Sequence, residues 1–373
     1  MPIVIQPYRE EHEPAVRDFN QRLQSGGTES DLTFFRFARP RWLPHTEGTT
    51  LYQEYFVALE NGVVRGGYAL KYQDFFFHDG ITRRVAYYHH PLSEGIVTKS
   101  YAALGAMLLK DAMTRYPLLY CLGMGGYNRP LPTMLVRLGW AHFPVPFYFH
   151  VVRPNIFFRE MQALRTSLTR RFMLDLAAFT RTGWAGVKLV QGLQKLRAPK
   201  LAAFPTERVE EFSDWVDPLW EQAKNHYSMA AVRDYKTLYT LYPASDAHFT
   251  RLRVRGDGQD IGWAVVGERQ KDEKYGAMRV GSIVDCWAEP HNALPVLQAA
   301  AAALVEQGVD LIVSNQSHPL WARALEYAGF LNSPSNFIFA AGKNLSTLLQ
   351  PFAENRSRFH FTRADGDGLP RNF

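Results

Sequence analysis

The strongest constraint on this chain is that it spells one order of elements twice, on either side of a basic stretch between 151 and 200. Near the start, Ile3-Val4-Ile5 and Tyr8 precede Glu10, Glu11 and Glu13 and then Val16, Phe19 and Leu23. That spacing predicts a short strand followed by an amphipathic helix. Near 205 the grammar returns: Thr206 to Phe212 leads to Asp217, placed to cap, and Pro218, suited to a first helical turn. A hairpin follows in each half. Tyr55–Leu59 turns through Asn61-Gly62 into Val63–Leu70, and Phe249–Val254 turns through 255–259 into Asp260–Val266. Each half continues with a strand (84–88; 280–285), a helix (98–115; 294–307) and a strand (118–122; 311–314). Asn128 or Asn315 comes next, then a short helix ending in Leu138-Gly139-Trp140 or Ala328-Gly329-Phe330, then an apolar strand. The expected organisation is therefore two α/β units with mixed (α+β) sheets, 1–152 and 204–373, joined by a basic helical connector, 153–203.

Composition narrows the function classes. With 46% hydrophobic and 21% charged residues in 373, disorder, collagen and coiled coil are excluded, and the length suits two cores. Cys121 and Cys286 form no C-x-x-C pair, so disulfide frameworks, thiol redox and zinc clusters lack ligands, and no metal is expected. Arg9, Glu10, Glu11 and Glu13 interrupt the start and no long uncharged apolar run follows, which predicts a cytoplasmic protein. Net charge is +6, yet 151–200 alone carries ten Lys/Arg against Glu160 and Asp175. The rest is slightly acidic, so DNA is not an expected partner. The basic stretch is either a solvated helical pair or a surface for an anionic partner, such as lipid headgroups at the inner membrane face or tRNA.

The element order, the Asn-to-Gly-aromatic runs and the hairpins ending in Gly67-Tyr68 and Gly262-Trp263 resemble the GCN5-related N-acetyltransferase superfamily in its tandem form, itself similar in fold to Fem-type aminoacyl transferases. The resemblance implies two acyl-CoA N-acyltransferase-like domains, an acetyl-CoA or other acyl-CoA donor, and an amine-bearing acceptor, either a small molecule or a cell-envelope or polysaccharide precursor. The family's pyrophosphate clamp is a (Gln/Arg)-x-x-Gly-x-(Gly/Ala) turn opening a helix, where bare amides meet phosphate. Ser100-x-x-Ala103-x-Gly105 falls on it with one glycine kept, and Lys99 lies beside it. The alternative is an ordinary helix with Gly105 packed on the sheet. In the second half Pro295 to Ala303 has neither glycine nor basic residue, the sequence of a packing helix.

The resemblance places an oxyanion-binding main-chain amide near Tyr88-His89-His90. A protonated amine cannot attack, so a base is needed: His90 or Glu94 in the first half, or Asp285, whose pKa burial would raise. The family's usual acid, a tyrosine four residues before the Gly-aromatic pair, is replaced by Leu135 and Leu325. Tyr127 is the expected substitute. Asn128 is either a helix cap or a pantetheine contact, and the tail 359–368 is expected to be a terminal strand with a flexible end. A coenzyme A-dependent acyltransferase working in the first half is the leading expectation. A tRNA-dependent aminoacyl transferase and a non-catalytic binding module are the alternatives.

Overall fold

A computed structural model describes residues 2–28, 32–160, 186, 189, 191–194, 196–199, 204–272 and 276–366. Most of the basic connector, including Arg165, Arg170, Arg171, Arg181 and Lys188, lies outside the described residues, as do Asp367 and Gly368 of the tail. In the first half, β1 (Val4–Pro7) and α1 (Glu13–Ser25) precede β2 (Tyr52–Glu60), β3 (Val63–Phe77) and β4 (Thr82–Ser93). Then come α2 (Leu104–Arg115), β5 (Leu119–Gly123), α3 (Pro130–Arg137), β6 (Ala141–Pro144) and β7 (Phe147–Val151). The later strands are β8 (Thr206–Val209), β9 (Met229–Ala231), β10 (Phe249–Gly256), β11 (Gln259–Asp272), β12 (Gly276–Ala288), β13 (Leu311–Asn315), β14 (Leu331–Ser333), β15 (Ile338–Ala341) and β16 (Phe359–His360).

The doubled grammar becomes two mixed sheets with one strand order. The first runs β1-β2-β3-β4-β5-β15-β6 and the second β8-β10-β11-β12-β13-β7-β14. Both hairpins close through consecutive positive-φ residues, Asn61 (52°) with Gly62 (79°) and Asp257 (51°) with Gly258 (78°). That is the turn whose twist matches paired strands.

The sheets do not divide where the sequence suggests. Phe147–Val151 leaves the first half and inserts between β13 and β14, pairing Val313 with Phe149 and Phe149 with Leu331. Reciprocally, Ile338–Ala341 inserts between β5 and β6, with Phe339 between Leu122 and Phe143. A division at 152 and 204 therefore cuts both sheets, and the halves form one interlocked body.

The tail carries the expected terminal strand, and its packing extends to Gly366. Phe359 and His360 pair with β9, which itself pairs with β3 at Phe75–Phe77, and 359–366 are buried apart from the half-buried Arg363. Phe75, Tyr120, Phe339, Phe359 and Phe361 form a buried aromatic layer between the halves, with Phe339 and Phe361 stacked 4.5 Å apart. Burial of each such ring contributes about 1.5–3 kcal/mol, which is why this polar-looking tail is ordered.

Candidate active site

At the centre of the first sheet the two middle strands part, and the Tyr87 hydroxyl donates across the gap to the Leu122 carbonyl (2.8 Å). β4 and β5 pair in parallel at Ala86–Leu119 and Tyr87–Tyr120, and there the ladder ends while β4 continues to Ser93. A register shift between Gly67 and Ala69 of β3 marks a bulge in β4, where His90 takes a left-handed φ of 52°. A bulge re-aims side chains and main-chain amides at the point where pairing stops. The splay thus leaves the end of β4 turned toward a cleft, the position in which an amide can meet a carbonyl oxygen.

His90 sits at that point. Its Nε2 lies 2.6 Å from the Thr33 carbonyl, and because a carbonyl only accepts, Nε2 carries the proton of the neutral ring. Phe35, 4.8 Å from the ring, and Phe34 hold its orientation. His89 points to the opposite role. It is buried against Tyr87, and burial, with His90 and Lys71 adding, pushes its pKa well down, so it stays neutral. Tyr88 is buried beneath α2, and burial pushes its phenol well up. Its side chain belongs to the core, leaving its backbone as its contribution to the cleft.

Glu94, the other first-half base expected from the sequence, is corrected by the structure. Its carboxylate accepts from Arg22 Nε (3.0 Å) and Arg65 Nη1 (3.1 Å) and is buried. Two guanidiniums hold it as an anchor between α1, β3 and the loop that follows β4, so its oxygens are already occupied and it does not face a substrate.

Lys99 and Ser100 are exposed in a short 3-10 turn, followed by exposed Ala102 and Ala103 at the entry to α2. Ala103 is the N-cap without a side-chain cap, and no acidic residue occupies the first turn. The first amides of α2 and its positive dipole end therefore face outward without a protein side chain to satisfy them. A Cβ placed on Gly105 would meet nothing within 4 Å. Gly105 is thus not packed on the sheet, and the space above it is open for a ligand's approach. The turn chemistry fits a diphosphate.

Beyond the end of β5, Tyr127 is exposed, with its hydroxyl 2.9 Å from His142 Nδ1, and partial burial pushes its pKa up. A phenol held protonated is a proton donor. Asn128 is exposed at the start of α3 beside Arg129, the helix's N-cap. What the sequence reading missed is the turn feeding these residues: Gly123, Met124, Gly125 and Gly126 all have positive φ (114°, 66°, 76° and 109°). Three glycines in four positions next to Tyr127 were the available signal.

The second half has the same opening, filled. β12 and β13 pair only over Val280–Ser282 and Leu311–Val313, and β11 shifts register between Val265 and Val266. Into the gap goes the chain's own segment 359–366. Ser317 Oγ donates to the Phe359 carbonyl (2.7 Å), Ser317 N to the Phe361 carbonyl (3.2 Å), and Arg363 Nη1 to Asn315 Oδ1 (2.6 Å). Asp285 is therefore corrected as well. Its carboxylate accepts from Arg233 Nε (2.7 Å), the Tyr242 hydroxyl (2.9 Å), Thr362 Oγ1 (3.0 Å) and Cys286 N (3.0 Å). Burial pushes its pKa up as the sequence suggested, against the pull of Arg233. Four donors nonetheless close it to any substrate. Arg233 bridges on to Asp365 Oδ1 at 2.6 Å, tying the tail to the sheet. The following helix, Ala293–Glu306, is buried along its first turn, and a Cβ on Gly262 would lie 2.6 Å from Val296 Cγ2.

A mixed sheet whose middle parallel strands splay beyond a bulge, with a helix opening above the splay, decides the architecture. The fold is that of the GCN5-related N-acetyltransferases. Among solved structures the chain is similar to Saccharomyces cerevisiae N-myristoyltransferase with bound myristoyl-CoA, at 10% identity over 91% of this chain and 78% of that one (TM-score 0.51). It is also similar to a GCN5-related N-acetyltransferase from Anabaena variabilis, at 9% identity over 91% and 72% (TM-score 0.50). A conserved protein of unknown function from Enterococcus faecalis matches at 10% identity over 94% and 74% (TM-score 0.50). No family model and no curated protein matches the sequence. The acetyltransferase fold is thus shared at the level of architecture, with sequences far apart.

Proposed function

We propose that the first half transfers an acyl group, with acetyl as the first expectation, from an acyl-coenzyme A to an amine. The carrying observation is the pairing of a splayed β4–β5 gap, bulged at His90, with an exposed α2 entry above which Gly105 leaves open space. The thioester supplies an electrophilic carbonyl and a thiolate leaving group. Lys99, Ser100 and the amides from Ala103 to Gly105 would hold the diphosphate, and Asn128 the pantetheine arm. The β4 backbone from Tyr88 to His90 would hold the carbonyl oxygen. His90 takes the proton that the amine gives up as its N–C bond forms. Tyr127 gives a proton to sulfur as the C–S bond breaks, and His142 steadies its hydroxyl. The amine reaches the cleft from the side of Phe34 and Phe35, opposite α2, and an amine-bearing small molecule or cell-envelope precursor suits that aromatic approach.

Thermal shift with coenzyme A and with acetyl- and longer acyl thioesters tests the donor site. A thioester at about one hundred times its dissociation constant should stabilise the protein by about 2.7 kcal/mol. Release of free thiol on adding primary amines tests transfer. Absence of a shift with every thioester would sink the proposal in favour of a fold kept for binding alone.

A further inference from the structure

We propose that Arg36 and Arg41 hold the anionic group, a phosphate or a carboxylate, of a ligand that enters a cavity between the two halves. On the acyl-transfer reading, on which this identification of the ligand rests, that ligand is the amine-bearing acceptor. Thr33 and Phe35 touch His90, and the chain continues from them as Arg36-Phe37-Ala38-Arg39-Pro40-Arg41. Arg36, Phe37, Arg39 and Arg41 are exposed. The Arg41 guanidinium lies 4.4 Å from the centroid of the Phe37 ring, and that of Arg36 lies 5.5 Å from the same ring. Neither guanidinium makes an ion pair or a hydrogen bond among the described residues. Two like charges gathered on one ring repel each other. Their planar forks of N–H donors match the oxygens of a phosphate or a carboxylate, which would remove that repulsion.

Beside them opens a cavity of about 670 Å³. Residues 41–44 form one wall and 245–248 of the second half another, with Thr46, Thr49 and Thr240 also lining it. Leu70 and Tyr88 pack beneath α2, so their neighbours Lys71 and Tyr87 face the other side of the sheet. Trp42 of the cavity wall has its ring centroid 5.9 Å from Lys71 Nζ, which is 5.6 Å from the ring of Tyr87, whose hydroxyl spans the β4–β5 gap. The cavity therefore lies opposite α2, on the side from which the amine reaches the cleft. Asp246, which also lines it, accepts from His248 N (3.1 Å) and lies 2.9 Å from His248 Nδ1, so this carboxylate is already engaged. A neutral ligand would fill the cavity and leave both arginines unmatched, whereas an anionic one accounts for the cavity and the charge together.

Calorimetric titration of the full chain, without thioester, tests the site with three primary amines of one length: 6-aminohexyl phosphate, 6-aminohexanoate and 6-aminohexanol. At least one of the two anions should bind about tenfold more tightly than the neutral alcohol, and the tighter of the two names the group. Arg41→Gln should remove most of that preference and Arg36→Gln part of it, with the parent's melting temperature kept because both positions are exposed. Arg208→Gln, which deletes an exposed charge elsewhere, should leave the preference unchanged. In thiol release from acetyl-coenzyme A the same preference should appear in KM rather than in kcat. Equal binding of all three amines, or an anionic preference that survives in R36Q/R41Q, would overturn the assignment. Anionic preference lost in R36Q/R41Q, but with no thiol release on any amine, would uphold the arginine site and overturn acyl transfer alone.

Discussion

The two sheets share one strand order and one splayed centre, yet the tail occupies the second gap through 359–362, while at the first it is held by Tyr120 and Lys71 at the Asp365 and Ala364 carbonyls and the α2 entry stays exposed. The difference lies in small residues and buried charge. In the first half Gly105 has free space above it, and α2 begins without a cap. In the second half the corresponding helix buries its first turn against Gly262, and Arg233 clamps Asp285 and Asp365 beneath residues 359–366. A duplicated frame can therefore keep a ligand opening in one copy and convert the other into packing without changing its topology.

The largest test of that contrast is Arg233→Met. It leaves Asp285 and Asp365 buried without their cation and should cost about 3–5 kcal/mol in denaturant unfolding, while ligand affinity per folded molecule stays unchanged. A loss under about 1 kcal/mol would mean that the clamp does not hold the second half together.

Acid should loosen the same region. Burial pushes the His318 pKa down to about 4, with Arg358 and His226 adding to the effect. His360 is pushed well down by burial too. These rings fold neutral and regain their ordinary value near 6.5 on unfolding, so their stabilisation is complete above that pH and drains away as pH falls toward 4. For His318 the loss approaches roughly 3 kcal/mol. His318→Asn, which keeps an acceptor for the Leu320 amide at the helix start, should flatten this acid limb in melts taken between pH 7 and pH 4. An unchanged limb would assign it elsewhere.

In the first half, His90→Gln should lower the turnover of thiol release about a hundredfold. Asp285→Asn, at the closed counterpart, should alter stability and leave turnover per folded molecule alone. Equal turnover for parent and His90→Gln would remove the histidine from the chemistry.

The smallest expected effects form a pair. Gly105→Val should weaken coenzyme A binding about tenfold, roughly 1.4 kcal/mol, with little change in the melt. Gly262→Ala meets the Trp287 carbonyl and Val296 and should cost about 1–2 kcal/mol of stability without affecting affinity. Reversed outcomes would exchange the roles of the two halves.

Local chemistry explains what was legible in the sequence. Asn61-Gly62, the doubled strand and helix periods and the Gly-aromatic helix ends each act within a few residues, and they yielded the elements in order. The exposed helix entry at Ser100–Gly105 was legible as well, because a glycine at a helix entry is itself a local signal. Long-range partners were not. Nothing within Phe147–Val151 or Ile338–Ala341 says which sheet it joins, since either apolar strand suits either slot. Glu94 looked like a base because Arg22 and Arg65 lie far off in the chain, and Asp285 because Arg233 and Thr362 do. The tail looked loose because its Phe, His and Thr are buried only by partners from Phe75, Tyr120 and Ser317.

The crossed strands also set an order of synthesis. A ribosome releasing the first 152 residues yields a sheet still missing the strand that separates β5 from β6, and that strand arrives only with Ile338–Ala341. The nascent N-terminal portion must wait, with an unfilled slot, for nearly the whole message to be read. Neither portion can be expressed alone as a finished domain, and any fusion or split of this protein has to respect that late closure.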